Sequence, residues 1–384
     1  MTVDEADLAL DRRLTEICGL LPMLRLLTPI NVPEAKKAFF TGEVDAPEFE
    51  YRPLPDLEAI GAELAEVNPD SASDPILIHM IRGMHRELEL RLELLRNRNT
   101  DRFLLTAIEA YGSVDQALFD LALEILATVP AGPPPTDHLG ASEVADLANQ
   151  ELNHYRARFP EMSAQIHVSE TAPGVMVENG HLFIGADTKV AIGRVEQLIQ
   201  HEIGVHVLTH VNGSAQPIGM LAVGLAGYEA TQEALGVLAE HLSGGLGSGR
   251  LRVLALRVLA ARSVSDGLGF AETFKVLEEH GAGRHLAFMT TMRSHRAGGM
   301  TKDALYLGGL TRLLAHLGEE GRLDSLLVGK ISLSDEPLVT DLLNRSVLVE
   351  PVLTPRFLES EFALERLERI RGGVSVIELG GVAA

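Results

Sequence analysis

Gln200-His201-Glu202-Ile203-Gly204-Val205-His206 places two imidazoles and a carboxylate inside one helical run of an otherwise apolar segment. These are the residue types of a zinc hydrolase site. The usual metallopeptidase helix spaces its two ligands as H-E-x-x-H, because residues i and i+4 differ by about 40° around the axis and face one ion. Here the pattern is H-E-x-x-x-H. On a regular α-helix that i,i+5 spacing turns the imidazoles about 140° apart, too far to share a metal. A single π-type widening would bring them back together, and Gly204 between them makes the backbone permissive. The motif therefore predicts a defect in its own helix near Gly204.

A catalytic zinc normally takes three protein ligands and keeps one open position for water. After an expected loop around Asn212 to Pro217, the segment Tyr228 to Glu240 resumes helical periodicity, with Glu229, Glu233 and Glu240 on one face. Any of these carboxylates could close the site. His210, at i+4 from His206, and His241 are rival ligands, so spacing alone leaves the third one open.

The runs Gln200 to His206, Gly224-Leu225-Ala226-Gly227-Tyr228 and Thr231-Gln232-Glu233-Ala234-Leu235-Gly236 together resemble the bacterial flavohemoglobin expression-modulating QEGLA motif family. That family is similar in its catalytic domain to the eukaryotic microtubule-associated tyrosine carboxypeptidase, a zinc exopeptidase. The resemblance covers most of the chain, including Ala110 to Asp115, Arg293 to Gly299 and Thr301 to Leu307. It implies zinc ligands at His201, His206 and Glu233, with Glu202 as the catalytic carboxylate. It also implies a zincin-like metallopeptidase core. One departure stands beside the third ligand: the family's Gln-Glu-Gly-Leu-Ala appears here as Gln232-Glu233-Ala234-Leu235-Gly236, with Gly and Ala exchanged, so packing at Ala234 is expected to differ.

A chain of 384 residues with 46% hydrophobic content can bury a large core. Its formal net charge of -21 argues against a nucleic-acid partner, since phosphate binding depends on clustered Lys and Arg. The single cysteine, Cys18, allows no intrachain disulfide and fits a reducing compartment. Met1 to Leu27 opens with acidic residues where a signal peptide would be basic, and no apolar run reaches bilayer length. These features predict a cytoplasmic location without a membrane partner; oligomeric state is not legible.

Amphipathic spacing predicts helices over Asp4 to Leu27, Asp56 to Val67, Asp74 to Arg96, Asp101 to Tyr111 and Val114 to Val129, with Thr100 and Ser113 placed as N-caps. The proline-rich run within 130–137 reads as a stiff linker, dividing a helical N-terminal region (1–129) from a catalytic core with a C-terminal helical region (138–384). A helix near Ser142 to Arg158 is followed by short strands at Gln165 to Val168, Val175 to Val177 and Leu182 to Ile184, the last two forming a hairpin around Asn179-Gly180. Gly249 to Leu317 reads as helices, and Leu327 to Leu353 is mixed. The expected class is α+β, predominantly helical, with a small β-sheet beside the metal helix.

The implied chemistry assigns further roles. Zinc held by two neutral imidazoles and a carboxylate polarises a scissile carbonyl and lowers the pKa of its water, whose proton Glu202 would take. Tyr306 and Tyr228 are candidate donors to the developing oxyanion, with Tyr306 first. An exopeptidase also needs a cation for the terminal carboxylate of its peptide or protein substrate. Arg293, Arg296 and Lys302 lie in the second motif, as substrate-binding groups or as partners of Asp303. Beside the zinc carboxypeptidase stand two other readings: a zinc endopeptidase, and a regulatory or interaction protein in which zinc is not catalytic.

Overall fold

A computed structural model describes residues 3–132, 136–172 and 174–381. The architecture is α+β and predominantly helical, with two small sheets. The helices Leu57–Ala65, Pro75–Arg96, Phe103–Tyr111 and Gln116–Thr128 match the amphipathic spacing. In the N-terminal helices four features depart from the sequence expectations. The first helix is split into Glu5–Gly19 and Met23–Leu26, because Pro22 between them lacks an N–H and restricts its predecessor. A helix over Val32–Thr41 was not anticipated. Asp115, not Ser113, caps Gln116–Thr128 by accepting from Leu118 N at 2.8 Å. Thr100 lies too early to cap Phe103–Tyr111; its hydroxyl accepts from Arg102 N in the preceding turn. Within the expected linker, 133–135 lie outside the described residues.

The helix Ala141–Arg156 leads into strands β2 (Ile166–Ser169), β3 (Val175–Glu178) and β4 (His181–Gly185), after a short β1 (His138–Gly140) that sequence did not suggest. The order is β2-β4-β3, with β2 parallel to β4 and β3 antiparallel to it. Asn179 and Gly180 turn the β3–β4 hairpin with φ of 49° and 73°, the left-handed pair a two-residue turn requires. β5 (Lys189–Ala191) pairs antiparallel with β1 and feeds the helical run that carries the two histidines.

Apolar side chains form two cores. The larger joins residues from the first helices, such as Leu14, Leu77 and Ile125, to the C-terminal helices through Leu235, Leu259 and Leu310. The smaller joins Val144, Ala148, Leu152, Leu182 and Ile184 to Ile203, Val207 and Leu208. The histidine-bearing helical run lies between them, since Val205 packs into the large core while Ile203 and Val207 pack into the small one. Among the described residues no helix is long and apolar enough to cross a membrane.

Candidate metal centre

The helical run consists of Val195–His201, a π-helical segment Glu202–Val207, and Leu208–Ser214. The predicted widening is thus present around Gly204, and it brings the His201 and His206 rings to a centroid separation of 4.9 Å. Gly204 serves packing as well as backbone freedom: a Cβ there would lie 2.7 Å from Gln200 Oε1 and 3.3 Å from Phe357. The helix continues through Asn212, where a loop was expected to begin. The buried Asn212 amide explains this, donating to Leu327 O and Leu353 O and accepting from Leu353 N.

Tyr228–Gly244 packs against this run and supplies the third group. Glu233 Oε2 lies 3.7 Å from His201 Nε2 and 3.8 Å from His206 Nε2. The three donor atoms fall within 4.8 Å of one another, so His201, His206 and Glu233 could hold a metal ion. Glu233 Oε2 is buried with no hydrogen-bond partner among the described residues. A buried, unpartnered carboxylate oxygen facing two imidazole nitrogens is costly unless a cation completes it.

A second layer orients these groups. His201 Nδ1 donates to Glu240 Oε1 at 2.8 Å, leaving Nε2 turned toward Glu233. Glu240 is itself held by Arg194 Nη2 at 2.7 Å and by Arg250 Nε and Nη2 at 3.0 Å. Gln232 Oε1 accepts from Thr209 Oγ1 at 2.8 Å and lies 3.5 Å from His206 Nδ1. The Gly–Ala exchange in this helix is accommodated on both sides. A Cβ at Gly236 would meet the His201 ring at 2.5 Å, so the ring occupies that space. The Ala234 methyl faces Gly309, whose own Cβ would lie 2.3 Å from Ala230 O.

Charge is unevenly distributed over the cluster. Burial opposes charge on His201, but Glu233 and Glu240 on its two sides raise its pKa to about 9. Burial and the neighbouring His201 lower His206 to about 4. Burial also acts against ionised Glu233, yet the two imidazoles hold it down at about 2. Glu202, on the same helix, is pushed up to about 7 by burial; His201 opposes the rise, and Glu233 and Glu240 add to it.

The remaining sequence candidates fall in several places. Tyr306, in the first turn of Leu305–Gly318, feels the charge of Glu233, and its hydroxyl makes no protein hydrogen bond among the described residues. Arg293 clasps Asp303 through Nε and Nη2, leaving Nη1 uncommitted, and its side chain remains 32% exposed. Lys302 lies 3.5 Å from Glu229 and over the Tyr111 ring. Arg296 is buried, its charge opposed by burial and by Arg293 and favoured by Asp303, Tyr111 and Tyr51. His210 turns its Nδ1 to Ala222 O, and His241 neighbours Arg366 and Arg369; neither joins the cluster. Three cations escaped the sequence reading. Arg250 and Arg257 are seven residues apart on Ser248–Ser265, a spacing that puts them on one face and could have flagged them. Lys330 sits beside His206 and over the Tyr228 ring, without an ion pair among the described residues.

Fold and site together define a predominantly helical α+β protein in which two histidines of a widened helix and a glutamate of the helix packed against it form a cluster that could hold a metal ion. The chain belongs to the family described as microtubule-associated tyrosine carboxypeptidase, whose sequence pattern matches residues 37–374. No curated protein and no solved structure matches it.

Proposed function

We propose that the chain is a zinc-dependent metallocarboxypeptidase with a zincin-like core, removing C-terminal residues from a peptide or protein. The observation that carries this reading is the convergence of His201 Nε2, His206 Nε2 and the unpartnered Glu233 Oε2, with Glu202 alongside. A set of two imidazoles and one carboxylate is the donor chemistry of catalytic zinc. The family's description names a tyrosine carboxypeptidase, which supports exopeptidase polarity and a tyrosine-like terminal residue.

When bound, zinc would supply a Lewis acid for the scissile carbonyl and an acidified water. The protein groups supply the rest. Glu202, with a pKa lifted to about 7 by burial, takes the proton from the attacking water and passes it to the leaving amine nitrogen. Tyr306 donates its hydroxyl to the oxygen on which charge develops. Arg293, held from behind by Asp303, presents its free Nη1 to the terminal carboxylate, and Lys302 lies on the adjacent wall. Arg296 contributes to the cationic surroundings from greater depth. The N-terminal region 1–129, set off in sequence by the proline-rich run, contributes Glu87 and Arg91, whose charges act on Glu229. Buried, unpaired Cys18 accords with action in the cytoplasm.

The test combines metal content with cleavage of matched peptides. The purified protein should hold one zinc per chain, lost in His201→Ala and His206→Ala and retained, without hydrolysis, in Glu202→Gln. Peptides with a free C-terminus should be cut and their amidated counterparts spared. Equal rates on both would make the protein an endopeptidase, and full zinc occupancy with no cleavage across a broad peptide library would favour a regulatory protein.

A further inference from the structure

The cation stacked on the ring of Tyr306 is Arg257, which neither the sequence reading nor the metal cluster accounts for. Its guanidinium carbon stands 4.5 Å from the Tyr306 ring centroid, over the ring face. Asp303, the acidic group beside it, is taken up by Arg293, which clasps both carboxylate oxygens; Arg257 Nε is left 3.8 Å away, beyond hydrogen-bond reach. Arg257 Nη1 is buried and has no partner among the described residues. The guanidinium thus stacks on the ring face, with Asp303 as a counter-charge at 3.8 Å that it does not hydrogen-bond.

Asp303 gives this half-buried cation a counter-charge but no hydrogen bond, and an apolar side chain of similar volume would fill the same space without needing either. Its charge makes sense through what it does to the phenol. A guanidinium over an aromatic face is attracted by the ring quadrupole, which fixes the plane of the ring and so the direction of its hydroxyl. The positive charge also favours negative charge accumulating on whatever oxygen the hydroxyl bonds. The first helical turn, where Tyr306 sits, adds a field of the same sign.

We propose that Arg257 is a positioning residue for Tyr306, holding the phenol so that its hydroxyl meets the developing oxyanion; this rests on the peptidase reading above. Arg257 thus acts on the chemical step and not on substrate capture.

The experiment is a double-mutant cycle on zinc-loaded protein, using a peptide with a free C-terminal tyrosine. Tyr306→Phe should lower kcat by about 100-fold, the scale for losing one oxyanion donor. Arg257→Gln should lower kcat by about tenfold with KM unchanged, and the double variant should match Tyr306→Phe, because two residues acting as one unit are not additive. Arg257→Lys, which keeps charge without the planar stack, should recover part of the loss and provides a second variant if Arg257→Gln folds poorly. An independent readout needs neither zinc nor turnover. The chain has five tyrosines, so 3-fluorotyrosine labelling gives a simple 19F spectrum. Arg257→Gln should move the Tyr306 resonance while the other four stay in place. Additive losses in the double variant, a rise in KM at constant kcat, or an unmoved Tyr306 resonance would each overturn the inference. Tyr306→Phe at full kcat would overturn both this inference and the role given to Tyr306, whereas an impaired Tyr306→Phe with an additive Arg257→Gln would overturn the inference alone.

Discussion

At the scale of single residues, the informative contact is the 2.8 Å bond from His201 Nδ1 to Glu240. Outer carboxylates of this kind fix the tautomer and plane of a ligating imidazole, and losing one typically lowers metal affinity by about 10- to 100-fold. Glu240→Gln should therefore weaken zinc binding by that factor in a chelator competition while the fold is retained; unchanged affinity would show that His201 is oriented by packing against Gly236 instead. The three candidate ligands were partly legible in advance. His201 and His206 stand out because histidine is scarce in apolar helices, and their spacing announces a distorted helix. Spacing alone left Glu229, Glu233 and Glu240 open because all three share a helical face, and the family resemblance pointed to Glu233. The crossing of Tyr228–Gly244 over the histidine-bearing run shows the physical difference, with Glu229 toward Lys302, Glu233 toward the imidazole Nε2 atoms and Glu240 behind His201. Lys330 had no local signal, since a lone lysine in an apolar run looks the same whether it faces solvent or a cleft.

At the scale of elements, the π-helical segment is equivalent to one residue inserted into an α-helix. Removing Gly204 would convert the spacing of the imidazoles to i,i+4, at which a regular helix already faces both toward one point. The downstream residues Val207, Leu208 and Val211 would keep their buried face, because the widening itself absorbs the extra residue. The Gly204 deletion should thus fold and still take up one zinc per chain, with a lower melting temperature from the disturbed Gln200 and Phe357 contacts. Loss of zinc in a folded deletion variant would show that the widened geometry sets more than the facing of the rings. Long, strongly periodic helices such as Pro75–Arg96 were readable from sequence because period and caps agree: Asp74 accepts from Ile76 N at 2.9 Å. The three-residue strands β1 and β5 were not, because so short a run carries no measurable alternation and pairs only with a partner about fifty residues away.

At the scale of the whole molecule, a chain of net charge -21 gathers Arg250, Arg257, Arg293, Lys302 and Lys330 within electrostatic reach of the acidic groups about the cluster, Glu229, Glu233, Glu240 and Asp303 among them. Asp303 is the counter-charge for two of these. Burial would raise its pKa, but Arg293 and Arg257 outweigh that and hold it well below the usual carboxylate range. A depressed carboxylate contributes stability that is complete above its unfolded pKa, near 4, and is lost as the pH falls through the folded value. Asp303→Asn should lower stability by about 3 to 5 kcal/mol at neutral pH, as expected when a buried ion pair loses one partner. In denaturant unfolding, the gap from the wild type should narrow as the pH drops below about 4. A gap independent of pH would assign the loss to packing and not to charge.

The placement of the triad between two apolar cores has a mechanical consequence. Its histidines ride on a segment seated largely in the small core, and its glutamate belongs to the large one. A bound ion would act as a clasp between two cooperative folding units, and chelation would release the weaker first. Amide hydrogen exchange should then quicken on metal removal across 141–211 while the helices around Leu77 and Leu259 stay protected. Uniform quickening over the chain would show a single unit that opens as a whole.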